Sequence, residues 1–442
     1  MRFFGAVAVS VLASAVVICS PGWGVPLFLE PRAYPVGTSP VGIAVGEFSG
    51  TPGLDLATVE EGNTVTILSN DGKGAFARGG QITIAARYVP TGIVSGRFNN
   101  DLIDDFALSA EDNENPDFNG AAVLYRSTAA FRYSATSVTV GLSPACVSVA
   151  DITGDDIPDL MVCASAEDAS GVLSVIPGNA DGTFGAASAI SLGAVIPYRL
   201  VAADIDHDAA SRPDLLVVDM VGNAVWIFYG KDPGVLPGPA FEPPVKLASV
   251  TSPTAAVVAR LGQDALPDIA VTSAPSGPGQ VLIFRQQTPR AFSEPVAYPV
   301  GADPVDLAAA DFDNTGTVDL LSANNHSSDV TFLLGHADGT FEPSETVRVG
   351  TGPVAIAVAD FNGDDRPDFA TANQDDETFG LNSQSVSVVL NGLFDPNCDG
   401  KRDAADVATV THRIFDRTSG CLDRPVTAAD ITLAILGMGT AR

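Results

Sequence analysis

The feature that most constrains this chain is a nine-residue acidic loop, whose fullest copy is Asp360-Phe-Asn-Gly-Asp-Asp-Arg-Pro-Asp368. Short β-type runs lie on both sides of it, at residues 354–359 and 369–372. Calcium takes roughly six to eight oxygen ligands at about 2.3–2.6 Å in proteins. The spacing therefore predicts a β-hairpin whose loop holds a calcium ion. The predicted ligands are the first, third, fifth and ninth residues, Asp360, Asn362, Asp364 and Asp368.

The same loop recurs along the chain, about 50 residues apart each time, and we number its copies as repeats one to seven. Its first position falls at Glu47, Arg97, Asp151, Asp204, Arg260, Asp311 and Asp360. Each repeat continues through further short apolar runs, and three repeats share a similar turn, at residues 70–76, 179–184 and 336–341. Four strands per unit of about fifty residues is typical of a propeller blade. We therefore predict an all-β fold, a seven-bladed β-propeller of four-stranded blades.

The two ends of this repeat array predict how the ring closes. Residues 28–37 match residues 292–301, which form an outer strand leading into the next repeat. Repeat seven ends after residues 386–390 and has no outer strand of its own. We expect the N-terminal strand to complete repeat seven, because this pairing leaves no large open sheet edge.

The repeats resemble the FG-GAP or VCBS repeats, whose propeller is similar to the N-terminal domain of integrin α chains. The resemblance covers about residues 26–392 and implies that the acidic loops bind calcium. In repeat three the implied ligands are Asp151, Thr153, Asp155 and Asp159. In repeat six they are Asp311, Asp313, Thr315 and Asp319. The alternative for each loop is a turn in which the acidic side chain binds its own backbone.

The other loops depart from this pattern. Repeat four has acids at Asp204, Asp206 and Asp208, but two inserted residues displace the last acid to Asp214. Repeat one begins with Glu47 and is expected to bind weakly.

Repeats two and five place Arg97 and Arg260 where the first ligand should stand. There an internal cation is expected to pair with acids of its own loop and to replace the metal. The predicted acids are Asp101 and Asp105 in repeat two, and Asp264 and Asp268 in repeat five.

The chain changes character from Asp395 onward. Residues 395–406 have the spacing of a twelve-residue EF-hand loop, with glycine at the sixth position. Apolar residues at helical spacing follow, and a degenerate second copy spans residues 419–430. The first loop has its ligand positions at Asp395, Asn397, Asp399, Lys401, Asp403 and Asp406.

Two such loop and helix units resemble a type I dockerin, a calcium module that docks into a cohesin. The resemblance implies a small α-helical domain at residues 394–442, after a propeller at residues 25–393, and a cohesin-like receptor as a partner. The second copy lacks acids at its first and third positions, so one calcium ion is expected in this domain. A domain that only caps the propeller is the alternative.

The five cysteines give two candidate disulfides. Cys19 falls in the N-terminal segment discussed below. Cys146 and Cys163 flank the loop of repeat three symmetrically, which places them opposite each other across the predicted hairpin. Cys398 and Cys421 fall one in each loop of the C-terminal domain, and a disulfide is expected there because so small a domain needs a staple. Two buried thiols are the alternative for Cys146 and Cys163.

Residues 1–24 have the charged start, apolar middle and small-residue end of a secretory signal peptide. The apolar run is too short for a membrane span. A lipoprotein anchor at Cys19 is the alternative, although Ile18 stands where such signals need a small residue. We therefore expect an exported protein, secreted or at the cell surface.

The charge balance excludes two classes of partner. There are 53 acidic and 23 basic residues, which gives a formal net charge of −30. Such a surface repels nucleic acid and anionic lipid. We expect a monomer that binds neither.

The sequence gives little indication of catalysis. The four histidines lie in separate turns or in the C-terminal domain, with no nucleophile motif beside them. We therefore predict a non-enzymatic binding or adhesion protein for an extracellular glycan or protein ligand. The alternative is an extracellular polysaccharide-active or phospholipase-like enzyme, because some propellers of this kind are enzymes. The loops between second and third strands should form a polar rim opposite the acidic loops, as in a ligand-binding face. The alternative is that these polar loops only face solvent and bind nothing.

Overall fold

The computed structural model describes residues 27–99, 101–114, 119–168, 170–207, 213–231, 240–275, 277–374 and 384–392. Every regular element in these residues is a β-strand. Accordingly, the described part of the chain holds no helix that is long and apolar enough to cross a membrane. The chain divides into two compact units, residues 30–391 and a second unit of residues 1–29 and 392–442. All described strands belong to residues 30–391.

The first three repeats contribute the strands β2 to β12. Repeat one holds β2 (Pro40–Gly46), β3 (Asp55–Glu60), β4 (Thr64–Asn70) and β5 (Phe76–Thr83). Repeat two holds β6 (Tyr88–Gly96), β7 (Asp105–Asp112), β8 (Asn119–Ala129) and the long β9 (Arg132–Ala150). Repeat three continues from β9 into β10 (Asp159–Ser165), β11 (Gly171–Ile176) and β12 (Ser188–Gly193).

Repeats four and five each contain one additional two-stranded ribbon. Repeat four holds β13 (Arg199–Ala203), β14 (Asp214–Asp219), β15 (Ala224–Phe228) and β18 (Val245–Ser249), with a ribbon of β16 (Gly230–Lys231) and β17 (Ala240–Phe241). Repeat five holds β19 (Pro253–Ala259), β20 (Asp268–Ser273), β21 (Pro278–Phe284) and β24 (Val296–Ala302), with a ribbon of β22 (Gln286–Thr288) and β23 (Ala291–Phe292).

The last two repeats complete the array. Repeat six holds β25 (Pro304–Ala310), β26 (Asp319–Asn324), β27 (Asp329–Gly335) and β28 (Phe341–Arg348). Repeat seven holds β29 (Pro353–Ala359), β30 (Asp368–Asn373) and β31 (Ser385–Val389). Its fourth strand is the N-terminal β1 (Arg32–Pro35), which pairs antiparallel with β31 and places Tyr34 opposite Val386. The predicted closure by the N-terminal strand is confirmed.

The sheets are antiparallel meanders, and in the described residues all but one of the larger sheets have four strands. The exception has seven, in the order β12-β11-β10-β9-β8-β7-β6, because β9 serves two repeats. Its first part pairs with β8, and its second part pairs with β10. The repeat pattern of the sequence does not predict this fusion.

The first strands of the repeats contact one another in sequence order. β2 contacts β6, then β9, β13, β19, β25 and β29 follow in turn, and β29 contacts β2. These strands carry small residues, as in Leu307-Ala-Ala-Ala310 at the end of β25. Small side chains allow neighbouring strands to approach closely. The fold is all-β and propeller-like, as the sequence predicts at this level.

The apolar core lies between neighbouring sheets. The second strands β3, β14, β20, β26 and β30 are buried along their whole length, because a sheet packs on each of their faces. Between the sheets of repeats one and two, for example, Val59 and Ile67 pack in one cluster with Phe106 and Leu108. Burial on both faces explains why these strands show no alternation of buried and exposed residues.

Repeat three also contains a covalent link. Cys146 on β9 lies directly opposite Cys163 on β10, with their Cα atoms 5.0 Å apart, and the two form a disulfide. This prediction is confirmed. Cys398 and Cys421 lie outside the described residues, so the second disulfide stays a prediction.

Candidate metal centres

Each acidic loop joins the first strand of a repeat to the second, and its ninth residue begins the second strand. This residue is an aspartate in every repeat, including repeat four with its two inserted residues. All seven side chains are almost completely buried: Asp55, Asp105, Asp159, Asp214, Asp268, Asp319 and Asp368. Carboxylates are seldom buried so fully unless they are paired or hydrogen-bonded.

Backbone amides bond to both oxygens of six of these buried carboxylates, and to one oxygen of Asp268. In repeat six, Asp319 Oδ2 accepts the N–H of Phe312 at 2.9 Å, and Oδ1 accepts the N–H of Gly335 at 2.8 Å. The first bond reaches the second residue of the loop, and the other reaches the end of the third strand. The same two bonds occur in repeats one, two, three, four and seven. The ninth aspartate therefore has a structural role, bonding the loop to the third strand, beyond the metal and arginine pairings predicted for it.

Burial also changes the protonation of these groups. It raises the pKa of Asp214 to about 6, that of Asp319 to about 7 and that of Asp368 to about 8. The amide bonds oppose this effect, whereas the charge of Asp313 adds to it for Asp319. A cation close to such a carboxylate favours its ionised form. The protonation of each ninth aspartate therefore depends on which positive charge lies beside it.

Two loops bring three carboxylates together. Oxygens of Asp311, Asp313 and Asp319 in repeat six lie within 4.8 Å of one another. Thr315 donates its N–H to Asp311 Oδ1 at 3.0 Å, and its hydroxyl bonds with Thr317 at 2.7 Å. Repeat six thus presents a compact set of hard oxygen donors of the kind that calcium prefers.

Repeat four forms an equivalent cluster. Oxygens of Asp204, Asp206 and Asp214 also lie within 4.8 Å of one another, so the displaced last acid still reaches the other two. Oδ1 of Asp204 is buried and has no hydrogen-bond partner within the described residues. Asp208, the other acid predicted for this loop, lies outside the described residues.

Repeat three is organised as a turn. Asp151 accepts the N–H groups of Gly154 at 2.6 Å and Asp156 at 2.7 Å, and Asp155 accepts that of Ile157 at 3.0 Å. Asp151, Asp155 and Asp159 do not converge as the acids of repeat six do, although all three are described. Thr153 Oγ1 is buried without a hydrogen-bond partner in the described part of the chain, so a ligand oxygen remains available at the third position.

Repeat seven, the fullest copy in sequence, is closed in a similar way. Asp360 accepts the N–H of Gly363 at 2.7 Å and of Asp365 at 2.8 Å. Asp364 lies 3.2 Å from the amide nitrogen of Asn362 and 3.7 Å from the guanidinium of Arg366. Asp360, Asp364 and Asp368 therefore do not form a cluster of the repeat six type.

The arginines at first positions have other partners than predicted. Arg97 Nε pairs with Asp104 Oδ1 at 3.0 Å rather than with Asp101 or Asp105. Asp101 instead accepts the hydroxyl of Ser127 at 2.6 Å. Asp104 is the eighth residue of the same loop, and its other carboxylate oxygen accepts the N–H of Glu47 in repeat one.

In repeat five, Arg260 is exposed, and a different arginine pairs with the loop. Arg285, next to the end of β21, lies 2.9 Å from Asp268 Oδ2 and 2.9 Å from Asp264 Oδ2. The two predicted acids of this loop do pair with an internal cation, but it comes from the end of the third strand.

The C-terminal candidate ligands lie outside the described residues and stay predictions. They are Asp395, Asn397, Asp399, Lys401, Asp403 and Asp406.

Comparison with known proteins agrees with the loop pattern. Residues 311–371 match the FG-GAP-like repeat family model. They begin at the first residue of the repeat six loop and extend into β30 of repeat seven. No curated protein matches the chain significantly.

Solved structures match over most of the chain. A crystal structure of BBS1N in complex with ARL6DN, soaked with lead, matches with a TM-score of 0.54 and 12% identity, covering 82% of this chain and 97% of the matched chain. The same complex soaked with mercury gives 0.53 and 12%, covering 83% and 97%. A functionally unknown protein from Desulfotomaculum acetoxidans DSM 771 gives 0.48 and 12%, covering 71% and 86%. At this identity the first two matches show the fold alone, which is propeller-like.

Proposed function

We propose that this chain is an exported, calcium-stabilised, seven-bladed β-propeller that binds a protein or glycan ligand and has a C-terminal docking domain. The observation that carries the proposal is the propeller-like fold with an acidic loop in every repeat. The carboxylate clusters support calcium binding, the contacts between first strands support the blade count, and the exposed acids of the opposite face support ligand binding.

The seven-blade count has two supports. The long strand β9 belongs to both repeat two and repeat three, so the seven-stranded sheet divides into two four-stranded units that share it. The first strands of all seven repeats contact their neighbours, and β29 contacts β2. Seven four-stranded units arranged about one axis account for both observations.

Calcium is proposed for the loops of repeats three, six and seven. The cluster of Asp311, Asp313 and Asp319 supports repeat six most directly, because three carboxylates this close repel one another without a cation. The unpartnered hydroxyl of Thr153 supports repeat three. When bound, calcium supplies positive charge that keeps the loop acids ionised and close together. In repeat seven, Asp360 holds the loop amides and would have to share its carboxylate with the ion.

Calcium binding is tested by comparing the melting temperature of the mature chain in calcium and in excess chelator. A ligand that binds the folded loops raises stability by mass action, so calcium should raise the melting temperature by several degrees. Asp313→Asn should reduce this increment. Asp303→Asn is a matched control, because Asp303 is exposed in the turn between β24 and β25 and has a φ of 57°, which asparagine tolerates. Identical curves with and without calcium would reject calcium binding.

Binding rather than catalysis is proposed for the face opposite the acidic loops. Loops between second and third strands lie there because the strands are antiparallel. The acids Glu61, Glu114 and Glu167 are exposed in them, and Glu111 is exposed at the end of β7 beside them. BBS1N, of similar fold, is named in its structure as part of a complex with ARL6DN, which favours a protein ligand.

The ligand is sought by probing glycan and protein arrays with the mature chain. The variant Glu61→Lys/Glu111→Lys reverses charge on the proposed binding face and should abolish the captured signal. Glu294→Lys, an exposed acid between β23 and β24, is the control and should bind normally. Polysaccharide or phospholipid turnover by the wild-type chain would favour an enzyme instead.

The docking role of residues 394–442 is a separate part of the proposal. Its support is the EF-hand spacing at residues 395–406. Capture of the full chain by a cohesin should require calcium and should be lost in Asp399→Ala. Capture that persists in chelator would reject calcium-dependent docking.

A further inference from the structure

Two arginines of repeat five bring guanidinium groups to acidic loops. Arg285 directly follows β21, and Arg290 lies in the turn between β22 and β23. Arg285 reaches the loop of its own repeat, whereas Arg290 reaches that of repeat four. Neither arginine belongs to an acidic loop.

Arg285 contacts two acids in the loop of repeat five. Its Nε lies 2.9 Å from Asp268 Oδ2, and its Nη2 lies 2.9 Å from Asp264 Oδ2. These acids are the ninth and fifth residues of the loop, two predicted ligand positions. In the other six repeats, the corresponding oxygen of the ninth aspartate accepts the N–H of the second loop residue. Arg285 thus changes the bonding of this loop alone.

The surrounding backbone leaves room for this guanidinium. Gly262 is the third residue of the loop, and Gly339 lies in the turn after β27 of the next repeat. A Cβ at either position would collide with Arg285. Arg285 Nη1 also donates to the carbonyl of Asp338 at 3.0 Å, so the side chain joins repeat five to repeat six.

Arg290 makes an equivalent connection to repeat four. Its Nη2 lies 2.6 Å from Asp206 Oδ2, and its Nη1 lies 3.0 Å from Glu242 Oε2. The guanidinium lies 4.2 Å from the ring centroid of Tyr229, a stacking position that favours arginine. Asp206, only 4% exposed, belongs to the cluster with Asp204 and Asp214. This cluster therefore already has a cation beside it.

We propose that Arg285 and Arg290 are built-in cations that take the place of a metal ion in the loops of repeats five and four. A guanidinium carries a permanent positive charge and five N–H donors in a fixed plane, so it can neutralise and hold several carboxylates at once. Unlike a metal, it does not depend on the concentration in solution. The loops of repeats four and five then remain closed without calcium, and calcium does not enter repeat four while Arg290 is present.

The proposal rests partly on calcium being the cation of the other loops, and the test separates the two ideas. Melting temperatures of the full mature chain are measured in excess chelator and in calcium, for wild type, Arg290→Gln and Arg260→Gln. Arg260 is exposed in the neighbouring loop, with no carboxylate within 4.0 Å among the described residues, and serves as the matched control. In chelator, Arg290→Gln should melt several degrees below wild type, and Arg260→Gln should match wild type.

Calcium should then raise the melting temperature of Arg290→Gln by more than it raises that of wild type, because the carboxylates of repeat four become available to the ion. Calorimetric titration with calcium should show one additional site in the variant. Arg290→Lys retains the charge and should show the wild-type calcium increment, which separates the charge from the packing of the side chain.

Two results would overturn the proposal. One is an Arg290→Gln variant that is as stable as wild type in chelator. The other is a destabilised variant whose calcium increment equals that of wild type, which would make Arg290 a packing residue only. A wild type without any calcium increment would reject calcium in repeats three, six and seven, yet a new increment in Arg290→Gln would still support the role of Arg290.

Discussion

Repeats four and six contain the same chemical cluster in different electrostatic surroundings. In each, three aspartate carboxylates lie within 4.8 Å of one another. In repeat four, Arg290 from the next repeat lies 2.6 Å from Asp206. In repeat six, the described residues place no arginine or lysine within 4.0 Å of Asp311, Asp313 or Asp319. Identical acids thus do not imply an identical cation, because the counter-charge can come from another part of the fold.

The largest expected difference is between the ninth aspartates of repeats five and six. Asp268→Ala removes the buried partner of Arg285 and should lower the free energy of unfolding by about 3–5 kcal/mol. Asp319→Ala leaves amides unsatisfied but also relieves repulsion from Asp313, and should cost about 1–3 kcal/mol. Urea unfolding in chelator measures both. Equal losses would show that Arg285 adds nothing to the loop of repeat five.

Repeats three and seven differ by one disulfide between their first and second strands. Replacing both Cys146 and Cys163 by alanine should lower the unfolding free energy by about 3 kcal/mol, because the disulfide closes a short loop in the unfolded chain. Repeat seven pairs Ala355 with Ala372 at the corresponding place. Introducing cysteines at both should stabilise the chain by a similar amount, as measured by urea unfolding with and without reductant. No loss in the double alanine variant would contradict this role.

Glu60 and Asn373 lie at equivalent ends of the second strands β3 and β30, and only Glu60 is titratable. Glu60 is fully buried and accepts the hydroxyls of Thr58 and Thr64, each at 2.6 Å. Burial raises its pKa above the ordinary 4.5. A raised folded-state pKa gives stability that is fully present below pH 4.5 and is lost as pH rises through the folded pKa.

We therefore expect Glu60→Gln to lose less stability than wild type as pH rises above 4.5. At low pH the variant should lie within about 1 kcal/mol of wild type, because an amide can keep a hydrogen bond to the threonine hydroxyls. Urea midpoints measured in chelator at increasing pH give the difference. Asn373→Ala is a pH-independent control, since Asn373 bonds with Ser385 and Ser387 without a titratable group. Parallel profiles for wild type and Glu60→Gln would contradict the prediction.

The smallest expected effect is at Arg97. Its side chain is 57% exposed, so solvent screens its charge although its partner Asp104 is largely buried. Arg97→Gln should change the unfolding free energy by less than about 1 kcal/mol, well below the effect of Arg285→Gln. Chemical denaturation of both variants in chelator tests this order. A larger loss for Arg97→Gln than for Arg285→Gln would contradict the view that the more buried arginine contributes more to stability.

Strand pairings that repeat from one unit to the next were the most predictable part of the fold. The hairpin around each acidic loop, the opposition of Cys146 and Cys163, and the pairing of β1 with β31 all follow from comparing repeats by position. An antiparallel hairpin fixes partners by counting outward from its loop, so the repeat pattern is sufficient. The fusion of two repeats through β9 was not predictable in this way, because a continuous strand leaves no turn signal to count from.

The sequence by itself determined the all-β class, the repeat length and the acids that each loop offers. Only the tertiary structure decided what those acids bind. Arg290 and Asp206 are 84 residues apart, and Gln286 reaches the carbonyl of Ile205 from 81 residues away. The sequence of one repeat does not reveal such partners, because they lie in another repeat. Burial of the ninth aspartates likewise arises when neighbouring sheets pack together, and this desolvation, absent from a linear sequence, makes their counter-charges decisive.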